Sequence, residues 1–174
     1  MQPDLENLKN KVAANRDLVD RITAKLPGFS GYVEKSEMYS ADTIIRGFMS
    51  DRLKRFKSDI HTLSSDLFKD GKTDVLPEVD SLSLNLEKVT KLCQYADYGS
   101  SGSLSKVKVT EEDMNRLLEY DWRLISRLDD TEKLVEDLRK GEGETKAKLR
   151  ELRDNLRDFE RALDDRKNVL LEVL

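Results

Sequence analysis

The sequence predicts an all-α protein, an antiparallel bundle of four to five long helices with coiled-coil-like heptad stripes. Three observations carry that reading. Charged residues make up 38% of the 174-residue chain and hydrophobic residues 37%, a balance suited to helices with one buried stripe and a solvated remainder. Helix-disfavouring residues are scarce, with 8 glycines and 3 prolines. Apolar residues recur at alternating steps of three and four through most of the chain. The length suits one packed domain, so residues 1–174 are read as a single helical bundle.

The first helix is expected from about Asp4 to Leu26. Leu5, Leu8, Val12, Val19, Ile22 and Leu26 form its stripe, with Asn15 as a polar interruption that either fixes register or sits at the stripe's edge. Pro27 stops it, because a residue before proline avoids helical backbone. A second helix begins between Ser30 and Glu37 and runs to about Lys69 on Ile45, Met49, Leu53, Phe56, Ile60, Leu63 and Leu67. Phe48 and Phe68 widen that stripe. Gly71 in "KDGKTD" then serves as a left-handed cap.

The third helix, about Pro77 to Ala96, places Val79, Leu82, Leu86, Val89 and Cys93 in one stripe, and proline suits its first turn. Cys93 there reads as a small buried hydrophobe. "DYGSSGSLSKVKV", residues 97–109, is the clearest loop, either a flexible crossover or a partner-binding lid. Thr110 opens the fourth helix, with Asp113 in the reciprocal capping position. Leu117, Leu118, Ile125, Leu128 and Leu138 lie on its buried face, and Trp122, the only tryptophan, is expected as a core anchor against the first three helices. Gly141 and Gly143 mark a hairpin or kink at about 140–145, and the hairpin is preferred because one rod from Thr110 would need a second chain to cover it. The last stripe, Leu149, Leu152, Leu156, Phe159, Leu163, Leu170 and Val173, is interrupted only by Arg166. The short links imply antiparallel neighbours for the first three helices.

The chemistry on offer is thin. Net charge is −4, with both signs interleaved and no long basic run, which argues against nucleic acid as the main partner. Cys93 is the only cysteine, so an intramolecular disulfide and a Cys-x-x-Cys zinc site are both excluded. His61 is the only histidine and lies off the main stripe, so it reads as a surface or boundary residue. A carboxylate-bridged di-iron bundle lacks its paired Glu-x-x-His motifs. There is no Walker A loop, no Gly-x-Gly-x-x-Gly and no Gly-x-Ser-x-Gly. No catalytic residue, cofactor or metal ligand is assigned, and the expectation is a non-enzyme. The polar N-terminus and the lack of a long apolar run favour a soluble chain in the cytoplasm, without membrane insertion.

One corner stands apart. In "LPGFSGYVEKSEMYSADTIIRG", residues 26–47, Phe29 and Tyr32 each follow a glycine, and Asp42 and Arg46 are spaced to pair across one helical turn at the surface. The corner is either a tight turn with an aromatic plug or a recognition surface. Pro27-Gly28, Gly31-Tyr32, Glu34-Lys35 and Ala41-Asp42 with Arg46 together resemble a pattern of uncharacterised, mostly helical prokaryotic proteins with a Pro-Gly-x-x-Gly-Tyr corner. The likeness covers about residues 26–55 and implies a helical class but no activity.

The function expected from these features is a non-catalytic interaction module, an adaptor, scaffold or assembly subunit that packs helix on helix with a protein partner or with itself. Candidate contact residues are Phe29, Tyr32 and Tyr39 in the corner, and Leu170, Leu171 and Leu174 in the C-terminal "VLLEVL". The alternative is a regulator binding a small ligand or lipid near residues 28–32 and the 97–109 loop.

Overall fold

The computed structural model describes residues 5–29, 31, 35–95 and 110–173, and these form five α-helices. They are α1 (Leu5–Lys25), α2 (Lys35–Lys69), α3 (Leu76–Gln94), α4 (Glu111–Lys140) and α5 (Thr145–Val173), with a short 3-10 turn, Thr73–Val75, before α3. The 97–109 loop, Tyr32 and Leu174 lie outside the described residues, as does the side chain of Tyr39.

Local chemistry sets the helix ends. Gly71 (φ 73°) closes α2: its N–H donates to Phe68 O and that of Lys72 to Leu67 O, the paired bonds of a left-handed C-terminal cap. Gly141 (φ 71°) ends α4 in the same way, with bonds from Gly141 to Leu138 O and from Glu142 to Asp137 O. Thr110 Oγ1 accepts from the Asp113 N–H at 3.2 Å, while Asp113 Oδ2 accepts from the Thr110 N–H at 3.1 Å, so the expected reciprocal cap forms. The break at Gly141 turns the chain into a hairpin, and α5 returns along α4.

Cross-helix bonds give the directions. Lys57–Glu87 and Arg46–Cys93 O make α2 and α3 antiparallel. Asp137–Lys148 and Arg127–Asp158 do the same for α4 and α5. The two hairpins lie side by side, α2 parallel to α4 through Arg52–Asp129 and Asp59–Arg139, and α3 parallel to α5 through Asp74–Lys146 and Lys88–Glu160.

The first helix departs from the expected antiparallel order. Lys25 pairs with Asp129 at 2.7 Å and Arg21 stands over Trp122, so α1 runs parallel to α4 and therefore to α2. The corner makes this feasible by doubling back along α1. Thr23 Oγ1 donates to Phe29 O at 2.9 Å, and a Cβ at Gly31 would stand 3.3 Å from Val19. Gly31, at φ 90°, thus supplies both a left-handed backbone and close approach.

One cluster of buried apolar side chains draws on all five helices, from Ile22 to Leu170. Two aromatic expectations change. Trp122 is only partly buried at the edge of this cluster, beneath the Arg21 guanidinium at 5.7 Å, and Phe68 is 66% exposed in the last turn of α2. No described helix is long and apolar enough to cross a membrane.

Candidate functional site

The least ordinary feature of the core is a group of charges. Arg166 occupies a stripe position on α5, three residues after Leu163 and four before Leu170, and is 1% exposed. Its Nε donates to Asp121 Oδ1 on α4, and its Nη1 donates to Asp42 Oδ1 on α2 at 2.6 Å. Asp121 is fully buried and Asp42 is 1% exposed. Arg46 completes the group, with Nε donating to Asp42 Oδ2 at 2.7 Å. Among the described residues, two guanidinium groups meet two carboxylates, and pairing of this kind is what makes buried charge tolerable. The Asp42–Arg46 pair therefore forms, but inside the bundle rather than on its surface, because Arg166 draws Asp42 inward.

Arg46 has a second task. Its Nη1 donates at 3.2 Å to both Cys93 O and Gln94 O, the carbonyls left open where α3 ends. A cation at a helix C-terminus also meets the negative end of the helix dipole. Cys93 lies beside this group and is buried; burial pushes its thiol up to about 12, against a weaker downward pull from Arg166 and Arg46. Such a thiol stays protonated and unreactive near neutral pH.

Beside Arg46 a cleft of about 530 Å³ opens between the C-terminal parts of α3 and α5. Leu92 and Tyr95 of α3 and Leu163 of α5 supply its apolar lining, and Arg157, Arg161 and Lys167 of α5 supply positive charge. Leu92 is 43% exposed and Tyr95 77%. Leu84, at 69%, is also exposed on α3, eight residues before Leu92 with Lys88 and Lys91 between them.

A second ionic cluster fastens α1. Arg52 of α2 is 5% exposed, bonds Asp129 at 2.7 Å and also reaches Glu132 and Leu128 O. Its guanidinium stands 5.6 Å from the Phe48 ring and 5.7 Å from that of Phe56. Asp129 accepts Lys25 of α1 on its other oxygen. Burial raises the Asp129 carboxyl, but the hydrogen bonds from Lys25 and Arg52 outweigh it and hold the group below its usual range.

The predicted contact residues separate. Phe29 is 2% exposed, so its ring plugs the core and offers no surface to a partner. Leu170 is likewise buried at 2%, docked with Val169 on its own bundle, whereas Leu171 points outward at 46%. His61 is exposed on α2. Among the described residues, no three His, Cys, Asp or Glu side chains are grouped to hold a metal ion. Sequence reasoning missed the cleft and the exposed side chains of Leu84, Leu92 and Tyr95, although these are apolar positions left over once the buried stripe is assigned. Comparison with family models, with curated proteins and with solved structures found no match.

Proposed function

We propose that this chain is a non-catalytic protein–protein interaction module that receives an amphipathic helix of a partner protein along the outer face of α3. The observation that supports this reading is the exposure of Leu84 and Leu92 on α3 and of Tyr95 just past its end, at 69%, 43% and 77%. Large apolar side chains open to solvent on one element are a usual mark of a docking surface. Leu171 adds an apolar contact at the end of α5. Leu84 and Leu92 belong to a helix already packed on the bundle, so docking there needs little ordering.

Leu84→Asp places a charge on this face away from the cleft, and Leu171→Ser removes the apolar side chain of the C-terminal contact. Both positions are exposed, so the bundle is expected to keep its melting temperature. Quantitative recovery of partners from native-host lysate should drop at least ten-fold for Leu84→Asp relative to wild type. Equal recovery by a folded Leu84→Asp chain would refute the docking face.

A ligand site at the 28–32 corner is the less favoured alternative, since Phe29 fills the core there.

A further inference from the structure

We infer that the cleft between α3 and α5 is a binding site for a small amphipathic anion, with a carboxylate or phosphate head on an apolar body. The inference goes beyond partner docking; it shares Leu92 and Tyr95 with that face but rests on the cations of α5. The volume, about 530 Å³, falls within the ~300–1,000 Å³ usual for small-molecule sites. The lining has two chemical halves. Leu92, Tyr95 and Leu163 form an apolar part, and the Tyr95 ring is open enough to lie against a ligand.

The other half is basic. With Arg46 already paired to Asp42, the cations Arg157, Arg161 and Lys167 of α5 line the cleft with Glu160 and Asp164. Glu160 is already held by Lys88 of α3 at 2.6 Å, which removes it from competition with an incoming anion. The ion pairs of the α5 cations are solvent-exposed: Arg157–Asp154 spans 3.1 Å and Arg161–Asp158 spans 3.8 Å. Pairs of this kind contribute about 0–1 kcal/mol, so a ligand can replace them at small cost. A guanidinium also keeps further donors in its planar fork for a carboxylate or phosphate. Arg157, Arg161 and Lys167 lie within three turns of one helix, so one anionic head can meet two of them.

An anion held here stands next to Arg46. That side chain ties the cleft to the buried carboxylates and to the last carbonyls of α3, where residues 96–109 begin.

The test is calorimetric titration of the full chain with decanoate, n-decanol and inorganic phosphate. Decanoate should bind saturably at one site, with n-decanol and phosphate each at least ten-fold weaker. Arg161→Glu/Lys167→Glu should weaken decanoate at least ten-fold, Arg161→Gln/Lys167→Gln less so, and Tyr95→Ala several-fold. Lys133→Glu, on the exposed side of α4, should leave it unchanged. Co-sedimentation with phosphatidylglycerol vesicles separates the sources of the anion. Loss of vesicle binding in the charge-reversed chain assigns the head to a lipid, while decanoate binding without vesicle binding assigns it to a free metabolite. The inference is overturned if decanoate affinity ignores the charge reversal, if n-decanol binds as tightly, or if phosphate alone matches decanoate. Partner recovery is read separately with Leu84→Asp, so either idea can fail without the other.

Discussion

Replacing Arg166 by methionine tests how the bundle holds charge in its core. The substitution keeps side-chain length and apolar packing, and it removes the one cation shared by Asp121 and Asp42. Asp42 retains Arg46 at 2.7 Å, whereas fully buried Asp121 loses its guanidinium. Breaking a buried pair from one side costs about 3–5 kcal/mol, because the remaining charge is left in a poor solvent for ions. At about 2–4 °C per kcal/mol for a chain of this size, the melting temperature should fall by roughly 6–20 °C. The double variant Arg166→Met/Asp121→Leu removes one charge of each sign and leaves the neutral Asp42–Arg46 pair, so it should recover most of the loss. Urea unfolding followed by circular dichroism measures all three chains. A loss under 1 kcal/mol, or a double variant no better than the single one, would refute the reasoning.

Two further outcomes follow from the surface pairs and the hairpin. Asp129 is held below its ordinary 3.8, and Glu87 is lowered from 4.5 to about 2 by Lys57 and Lys91. Folded values below unfolded ones stabilise above the unfolded values and lose that contribution as pH falls through the folded ones. Stability should therefore be flat from pH 7 to about 5 and decline below about 4.5, with little coming from exposed Glu87; an unchanged midpoint at pH 2.5 would contradict it. Gly141→Ala should cost about 1–2 kcal/mol through the left-handed backbone alone, since nothing lies within 4 Å of the added Cβ. An equal or higher melting temperature for Gly141→Ala would show that the α4 cap relaxes.

The elements themselves were legible because they depend on short-range chemistry. Three-and-four spacing placed every helix, "TEED" marked the cap at Thr110, and the glycines at 71 and 141 marked two turns. The direction of α1 was not legible, and chain reach explains why. A link of about nine residues can span ~30 Å when extended. Its shortness in sequence therefore does not force Leu26 and Lys35 to the same end of the bundle. The buried charges were hidden for a related reason. Arg166 interrupts a heptad stripe, and a stripe interruption alone does not distinguish an edge from a buried pair. The deciding carboxylates lie 45 and 124 residues away on two other helices. The cleft was harder still, because no periodicity reports how far two parallel helices stand apart.

The charged core also bears on why the two hairpins take this register. Leucine stripes are forgiving: a helix shifted by one turn meets another set of leucines, and apolar contacts alone separate the alternatives weakly. A guanidinium is not forgiving. One turn of slip moves it by about 5.4 Å, far outside hydrogen-bond range of both Asp42 and Asp121, and breaks the Arg166 bonds to both. The group joins α2, α4 and α5 at one level, and Arg46 extends it to the end of α3. Four helices are thus tied to a single axial position. Buried polar groups that specify register commonly do so at some cost in stability. The same Arg166→Met/Asp121→Leu chain separates the two effects. Its stability should approach wild type, while the dispersion of its methyl NMR signals should narrow or multiply as other registers become populated. A single well-dispersed spectrum in that chain would mean that packing alone sets the register.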